Sequence, residues 1–440
     1  MPIVPLVEDD SFRYGKLIAR KFKVFYRYLL NLPYYKVMGN NKRFVSALGE
    51  REKSLKKYYP EKMETLNGIS HKLGVNLQRL VKISGILHAL FGFGCTTLAA
   101  TKQATRDGKN YVLWNMDVMR LTSRWWRSPI HYLKDAPGTN RFIFYGIPGM
   151  VEISILNEHG LAFAGNAVGV KDGGKPGLLG WEVVNLAMET CSRVKEVVEC
   201  FENTPILVIP GYSAAIFTNL NSTWANTNGE AVTIEYSRHY RVAEYAKEHD
   251  GVLVETNHHQ YLDRNLSGSA DPTVQKAICG SYARLGRAWE LAEANKGNFD
   301  LEKIMEFARD HGRNYSLLEG YEYEKPVDDD TICCHTWNIP KYISEGRYGK
   351  VLDAILEGET LSSWIIDCDE RVIWRTCDKP CKSEYFKIDC KRALQGEYNS
   401  DPNIKHLPIC KRKNNKLFMH FLRPVVIYAA YVLERLVSVQ

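Results

Sequence analysis

Two kinds of hydrophobic spacing divide the chain near residue 94. Before that point, apolar residues recur at helical spacing, most clearly over 76–90, and the stretch 53–66 is rich in charged helix formers. After it, short runs of β-branched and aromatic residues alternate with turn signals, a pattern typical of strands. The chain therefore predicts a helical leader over 1–94, a mixed domain over 95–400 and a separate segment over 401–440.

The strands of the mixed domain are predicted in runs, and so are its helices. The segments 95–101 and 111–114 form a hairpin around the turn Arg106-Asp107-Gly108-Lys109. Elements grouped in this way favour α+β layers over alternating βαβ units. Further strands are expected at 141–145, 151–156, 161–164, 214–219, 232–236, 251–255, 362–367 and 371–376, and helices at 181–201, 273–295 and 301–309.

Charge is distributed unevenly at the two ends. Between residues 11 and 49 there are nine Lys or Arg residues and no acid, and apolar residues recur there at helical spacing. Such a basic amphipathic helix either lies on an anionic membrane surface or docks on the protein with a solvated face. Near the other end, Lys411-Arg412-Lys413 precede an apolar stretch that charges interrupt, so an interfacial or docking helix is expected there rather than a span.

Composition and charge argue against several classes of protein. The net charge of +7 comes without a dense basic face carrying interleaved aromatics, so no nucleic-acid partner is expected. The first residues carry no signal-peptide pattern, so the eleven cysteines are interpreted as thiols and the protein as cytoplasmic. Four late cysteines have spacings unlike those of a zinc ribbon, so no metal is expected; they are Cys377, Cys381, Cys390 and Cys410.

The candidate chemistry lies at Gly94-Cys95, where the two patterns meet. A thiol is a nucleophile only when a base removes its proton, and the flanks of Cys95 carry no papain-type or caspase-type signature. The alternative base is the α-amine of Cys95 itself, with a pKa of about 7.7–8.0, which requires cleavage after Gly94. Without a Cβ, Gly94 lets the thiol approach the preceding carbonyl. The competing interpretation is a buried structural cysteine.

Several motifs follow one another in order along residues 94 to 380. They are Gly94-Cys95-Thr96-Thr97, Trp114-Asn115-Met116-Asp117, the paired strands that end at Asn166, Thr256-Asn257-His258, and the helix from Ser281 through Arg284 and Arg287 to Leu291. Taken in this order, the motifs resemble the penicillin acyltransferase family and, more loosely, the bile-salt hydrolases and the acid ceramidase group. Two positions depart from the family pattern, because Met116 stands where Trp or Leu is usual and His259 doubles the usual histidine.

The resemblance implies a role for each matching side chain. Cys95 is the nucleophile and, through its amine, the base, and Asp117 holds the α-ammonium or a polar group of the substrate. Asn257 donates to the oxyanion, with Asn166 as a second oxyanion residue, and Arg284 pairs with Asp117 or steadies the nucleophile. The competing roles are a strand-end acid for Asp117, a turn residue for Asn257 and a helix-surface ion pair for Arg284.

The resemblance also implies a fold and a reaction. The fold is the four-layer αββα sandwich of N-terminal-nucleophile hydrolases, with the leader retained after cleavage as one half of a heterodimer. The reaction is attack on a small N-acyl amide or acyl thioester, acyl transfer to Cys95, and release to water or an amine, with no metal or bound cofactor. The alternatives are an uncleaved member that binds an acyl or amine ligand without turnover, and a membrane-associated scaffold.

Overall fold

The computed structural model describes residues 3–31, 48–90, 93–119, 130–170, 172, 174, 176–208, 219–267, 279–314, 316–317, 331–335, 344–346 and 358–398. Its strands are β1 (Ile3–Val7), β2 (Phe93–Ala100), β3 (Tyr111–Met119), β4 (His131–Asp135), β5 (Phe142–Ile147), β6 (Val151–Asn157), β7 (Ala162–Val168), β8 (Asn219–Ala225), β9 (Ala231–Tyr236), β10 (Arg241–Tyr245), β11 (Val252–Glu255), β12 (Gly358–Asp367), β13 (Val372–Arg375) and β14 (Phe386–Asp389). Its α-helices are α1 (Ser11–Lys21), α2 (Lys23–Leu30), α3 (Arg51–Tyr58), α4 (Pro60–Leu73), α5 (Leu77–Leu90), α6 (Gly180–Thr190), α7 (Val194–Asn203), α8 (Arg264–Ser267), α9 (Cys279–Asn295), α10 (Leu301–Ala308) and α11 (Lys391–Leu394).

These strands form two sheets. The larger has eight strands in the order β1-β4-β5-β6-β7-β8-β9-β10, and the smaller has six in the order β11-β2-β3-β12-β13-β14. Neighbouring strands are antiparallel except for β1, which pairs parallel with β4. The predicted hairpin of β2 and β3 therefore lies inside the smaller sheet, with a strand on each side of it.

The two sheets pack face to face and helices cover their outer faces. Strands β2 and β3 lie against β7 and β8, where the Trp114 ring packs edge-on against Phe163 of β7 with centroids 5.9 Å apart. Helices α6 and α7 cover the larger sheet, and α9 and α10 cover the smaller one. Because both faces of the central strands are covered, every residue of β6 and β7 is buried. The predicted four-layer αββα sandwich is thus confirmed.

The leader segment is helical over much of its described length, but it also supplies a strand. Strand β1 is a short apolar run that the hydrophobic periodicity does not predict, and it extends the larger sheet at its edge. The predicted helix 53–66 is two helices, because Pro60, which lacks an N–H, takes the first turn of α4. Helices α1 and α4 approach closely at a glycine, since a Cβ on Gly15 would lie 2.1 Å from the Thr65 carbonyl oxygen.

Helix α1 is the first described part of the basic amphipathic stretch, and it docks on the protein. Its apolar residues Tyr14, Leu17 and Ile18 are buried, and the helix packs on α4, while Arg20 and Lys21 are exposed. The docking interpretation therefore holds for this helix. Among the described residues, no helix is both long enough and apolar enough to cross a membrane. The predicted apolar helix of 401–440 lies outside the described residues.

Buried charges join the leader to the larger sheet and its helices. Lys62 Nζ donates to Glu152 at 3.1 Å, and Tyr14 Oη donates to the same carboxylate at 3.1 Å. Tyr59 Oη donates to Glu189 at 2.5 Å. A further ion pair joins Arg51 of the leader to Glu182 of α6, and both side chains are fully buried. Because unpaired buried charges are costly, these contacts hold the leader in one position.

Besides β1, three further short strands and one helix break were not predicted. Strands β4, β10 and β14 have no more than five residues each, too few for a clear alternation of apolar and polar positions. The predicted helix 181–201 is interrupted between α6 and α7, where Glu196 accepts hydrogen bonds from the backbone N–H groups of Ser192 and Arg193 and so starts a new helix. Residues 214–218 and 273–278 of other predicted elements lie outside the described residues.

Candidate active site

Cys95 lies on β2 with its side chain between the two sheets. Gly94 is opposite Asp117 and Cys95 is opposite Met116 in the β2–β3 ladder. Side chains alternate along a strand, so Cys95 and Thr97 face the larger sheet, and Thr97 Oγ1 indeed donates to Asn166 of β7 at 3.0 Å. The Cys95 side chain is fully buried, whereas Gly94 is partly exposed. The bond between these two residues therefore lies at the rim of the inter-sheet core.

The backbone nitrogen of Cys95 is bonded to a side chain instead of a neighbouring strand. Strand β11 ends with Glu255 opposite Thr97, so the ladder stops before it reaches Cys95. Asn257 follows this strand end, and its Oδ1 accepts the Cys95 N–H at 2.9 Å. The same oxygen accepts a hydrogen bond from Arg284 Nη2 at 2.7 Å. With two donors on it, this atom is identified as the amide oxygen, and it is aimed at the atom that cleavage would turn into an α-amine.

Arg284 of α9 ties the cluster together. Its Nη1 donates to the Cys95 carbonyl oxygen at 2.6 Å and to Thr96 Oγ1 at 3.1 Å. The same nitrogen lies 3.7 Å from Asp117 Oδ2, and both side chains are almost fully buried. Arg284 is therefore not a helix-surface ion pair. Its guanidinium joins the backbone of Cys95 and the amide of Asn257 and lies beside the carboxylate of Asp117.

Asp117 is buried directly beside the scissile position. Thr360 Oγ1 of β12 donates to Asp117 Oδ1 at 2.6 Å. A Cβ on Gly94 would lie 3.2 Å from both Cβ and Oδ2 of Asp117, so a larger residue at 94 would displace the carboxylate. Burial excludes the interpretation of Asp117 as an exposed strand-end acid. Glycine at 94 therefore matters for the packing of Asp117 as well as for access to the carbonyl.

Asn166 lies close to the cluster but is bonded to other groups. Its Oδ1 accepts from Thr97 Oγ1, and its Nδ2 donates to the Glu255 backbone oxygen at 3.2 Å. Asn257 Nδ2 in turn donates to the Ala167 carbonyl oxygen at 2.9 Å. The structure thus brings Cys95, Asp117, Asn257 and Arg284 into one cluster, with Asn166 beside it. The oxyanion roles of Asn257 and Asn166 stay predictions.

The electrostatic environment opposes ionisation of the Cys95 thiol. Burial and the carboxylate of Asp117 raise the pKa of Cys95 above its ordinary value, although the guanidinium of Arg284 acts in the opposite direction. The thiol of the uncleaved chain is therefore protonated at neutral pH, and a nucleophilic reaction requires a group that takes its proton. A raised pKa is expected for a cysteine whose reaction depends on a nearby base.

Ser281 and Thr360 support the site, and sequence reasoning assigned neither of them a role. Ser281 Oγ accepts the Asn257 backbone N–H at 2.7 Å and lies 2.8 Å from His258 Nδ1, which fixes the strand end that carries Asn257. Burial, together with the charges of Arg264 and Arg284, lowers the pKa of His258, so its ring is neutral. Ser281 lies in one of the motifs that carry the family resemblance. Thr360 is far from Asp117 in sequence and belongs to none of these motifs.

Of the four late cysteines, the three that the structure describes, Cys377, Cys381 and Cys390, do not come together as one metal group. Cys377 is disulfide-bonded, so the expectation that all eleven cysteines are thiols is wrong at this residue. Cys390 is buried, and its Sγ donates to the Ile388 carbonyl oxygen at 3.6 Å. Cys410 lies outside the described residues. Of the four, Cys381 alone lies in a group of metal-ligating side chains among the residues that the structure describes, and its neighbours there are different residues.

A four-layer αββα sandwich with a buried polar cluster on its central hairpin is the architecture that the resemblance to N-terminal-nucleophile hydrolases implied. Residues 105–348, more than half of the chain, match the family model described as acyl-coenzyme A:6-aminopenicillanic acid acyl-transferase. The chain belongs to this family. The matched region includes Asp117, Asn166, Asn257 and Arg284 but begins after Cys95. No curated protein matches the chain.

Solved structures similar to the chain include an acylase and a hydrolase by name. Penicillin V acylase from Agrobacterium tumefaciens is 14% identical, with 67% of this chain and 86% of that chain covered and a TM-score of 0.33. Two variants of conjugated bile acid hydrolase from Clostridium perfringens are 14% and 13% identical, with TM-scores of 0.34; 71% and 72% of this chain and 100% and 93% of theirs are covered. Likeness at this level adds nothing to the family assignment.

Proposed function

We propose that the protein is a self-processing cysteine hydrolase or acyltransferase that acts on linear amides through an acyl-Cys95 intermediate. The observation that carries the proposal is the hydrogen bond from the Cys95 backbone nitrogen to Asn257 Oδ1, inside a buried frame of Arg284 and Asp117. A strand that only needed structural pairing would use a backbone acceptor at this position. Here a side chain holds the nitrogen that would become the catalytic amine.

The first step of the proposed function is cleavage after Gly94. The Cys95 thiol attacks the Gly94 carbonyl carbon, the C–N bond breaks, and the thiol proton passes to the departing Cys95 nitrogen. The product is a thioester between Gly94 and Cys95 Sγ. Water then hydrolyses this thioester, which leaves a carboxylate on Gly94 and a free α-amine on Cys95. The partial exposure of Gly94 supports entry of that water.

Turnover repeats the attack on a substrate. The α-amine, held by Asn257 Oδ1, accepts the thiol proton, and Sγ attacks the substrate carbonyl carbon. The substrate C–N bond breaks, its nitrogen takes the proton, and the acyl group stays on Cys95 until water or an acceptor amine removes it. In this scheme Asp117 and Arg284 set the charge around the amine. Asn257 Nδ2 and Asn166 are the proposed oxyanion donors, in competition with the carbonyl groups that they bind in the uncleaved chain.

The proposed substrate is a small N-acyl amide or an acyl thioester, in keeping with the acyl-CoA and amine in the family's description. The leader is proposed to remain bound after cleavage, as the smaller half of a heterodimer, and its buried ion pairs support this. The alternative is an uncleaved member that binds an acyl or amine ligand without turnover. It is favoured by the regular pairing of both Gly94 and Cys95 in one unbroken strand.

Intact mass spectrometry of the purified protein tests the proposal. The wild type should give one fragment of 94 residues and one that begins at Cys95, whereas Cys95→Ala should remain a single chain. Incubation with a panel of acyl amides and acyl-CoA thioesters should then add an acyl mass to the larger fragment only. Cys200→Ala is the matched control, because that cysteine lies on α7, and it should cleave and acylate like the wild type.

Two outcomes would contradict the proposal. A wild-type chain that stays full length and hydrolyses amides would exclude the N-terminal amine as the base. Loss of turnover in His258→Ala, with cleavage intact and a rate that follows a histidine pKa, would indicate a Cys/His pair. We expect activity instead to rise through an apparent pKa of about 7–8, as for an α-amine.

A further inference from the structure

A second group of reactive side chains lies outside the Cys95 cluster. The ligand atoms of His311, Cys333, His335 and Cys381 all lie within 4.8 Å of one another. They come from three separate segments: the chain after α10, the segment 331–335, and the turn after β13. Cys333 and His335 are two residues apart, whereas the other two ligands are distant in sequence. The spacing of these residues along the chain therefore does not predict the group.

The three distances from His335 Nε2 to the other ligand atoms are close to those of a tetrahedral metal site. His335 Nε2 lies 3.1 Å from His311 Nε2, 3.2 Å from Cys381 Sγ and 3.6 Å from Cys333 Sγ. A zinc ion with ordinary Zn–N and Zn–S bonds at tetrahedral angles separates two nitrogens by about 3.3 Å and a nitrogen from a sulfur by about 3.5 Å. The observed separations lie on both sides of these values.

Hydrogen bonds between the four side chains explain their short separations less well than a shared metal ion does. An imidazole Nε2 carries either one hydrogen or one lone pair, so it serves one close partner at a time. His335 Nε2 has three such partners within 3.6 Å. A metal ion placed among the four atoms would accept a lone pair from each of them.

We propose that His311, Cys333, His335 and Cys381 form a zinc site with a structural role. Two thiolates and two imidazoles are a ligand set that zinc prefers, and four protein ligands leave no open position for a substrate. Cys333 is buried and His311 is exposed, so the site is anchored on one side and reachable from solvent on the other. The proposal rests on these four residues and does not depend on cleavage at Cys95.

The segment that carries two of the ligands also supports Asp117. The Cys334 backbone N–H donates to Thr360 Oγ1 at 2.8 Å, and Thr360 Oγ1 donates to Asp117 Oδ1. The Ile332 carbonyl oxygen accepts from Asn115 Nδ2 at 2.9 Å. An ion that fixes Cys333 and His335 therefore fixes the residues between the smaller sheet and α10. Its loss should loosen the position of Asp117 without removing any residue of the Cys95 cluster.

Metal analysis of the full-length protein tests the zinc site. After dialysis under reducing conditions, the wild type should retain about one zinc per chain, and cobalt substitution should give the visible bands of a tetrahedral site with thiolate ligands. The double variant Cys333→Ser/Cys381→Ser and the single variant His311→Ala should each lose most of this metal. Cys334→Ser, the adjacent cysteine outside the group, and His239→Ala, a histidine in a distant turn, are the matched controls and should retain it.

A second measurement keeps the test decisive where a variant unfolds. Wild-type protein stripped with a chelator should rebind zinc in competition with a chromophoric chelator, and its melting temperature should rise on rebinding. Zinc below about 0.1 per chain, both as purified and after reconstitution, would overturn the proposal. So would equal zinc in the double variant and the wild type, or a Cys333–Cys381 disulfide in protein kept under reducing conditions. None of these readouts uses catalytic activity.

Discussion

The leader interface and the Cys95 cluster both bury charge, but they distribute it differently. At the interface, Lys62 contacts the Glu152 carboxylate directly. Burial raises the pKa of Glu152, but the charges of Lys62 and Lys134 outweigh this effect and hold the pKa below its ordinary value. At the cluster, Arg284 and Asp117 are 3.7 Å apart and share their surroundings with the Cys95 thiol, whose pKa is raised. Opposite charges in direct contact fix the position of the two segments that carry them. Charges arranged around a third group instead shift the pKa of that group.

The largest expected effect concerns Asn257, which separates the two roles assigned to the cluster. Asn257→Ala removes both the acceptor for the Cys95 nitrogen and the proposed oxyanion donor, and loss of one such donor costs about 10²–10³ in kcat. Asn257→Asp keeps an acceptor oxygen but loses the N–H donor. If the oxyanion role dominates, both variants should lose this factor in kcat, as measured by single-turnover kinetics on a cleaved sample.

An Asp variant that keeps nearly wild-type kcat would assign Asn257 to holding the amine and remove it from the oxyanion site. The matched control is Asn203→Asp at the exposed end of α7, which should leave kcat unchanged. A wild-type rate in Asn257→Ala would contradict both roles and with them the proposed mechanism.

The next effect concerns the leader interface. Lys62→Met leaves the Glu152 carboxylate buried without its direct partner, and breaking a buried pair in this way costs about 3–5 kcal/mol. We expect a lower urea midpoint at an unchanged slope. Lys53→Met is the control, because its pair with Glu50 is exposed and should contribute no more than about 1 kcal/mol. Equal midpoints for the two variants would show that the buried pair does not anchor the leader.

A smaller effect is expected at the junction between the two regions. In Gly94→Ala the new Cβ would lie 3.2 Å from Asp117, so the carboxylate must move by a few tenths of an ångström. Stability should hardly change, but self-cleavage should slow by about tenfold, an increase of about 1.4 kcal/mol in the barrier. The time course of fragment formation in freshly made protein measures this rate. Cleavage at the wild-type rate would show that the position of Asp117 is not critical.

The smallest expected effect is a pH dependence of the stability that the leader interface contributes. Because the pKa of Glu152 is lowered in the folded state, its ionised form contributes stability above its ordinary value of 4.5, and this contribution is lost as pH falls through the lower folded-state pKa. Melting temperatures between pH 6 and pH 3 should therefore converge for the wild type and Glu152→Gln. A gap that stays constant over this range would contradict the assigned ionisation state.

Local patterns were sufficient to predict the hairpin of β2 and β3, the α+β layering and the order of the motifs. Periodicity reports which residues share a face, and motif order reports a family, so Cys95, Asp117, Asn257 and Arg284 could all be named before their contacts were known. The short strands β1, β4, β10 and β14 were missed for the same reason, because a few residues contain too little periodicity.

Tertiary structure alone decided what those residues face. The family resemblance implied that Asn257 is an oxyanion donor, but the end of β11 opposite Thr97 and the position of Arg284 turn its amide oxygen toward Cys95. The support of Asp117 by Thr360, the buried ion pairs of the leader and the four proposed zinc ligands likewise join distant parts of the chain. Such contacts arise when layers pack, and their partners share no local spacing, so the sequence determined the participants while packing determined their geometry.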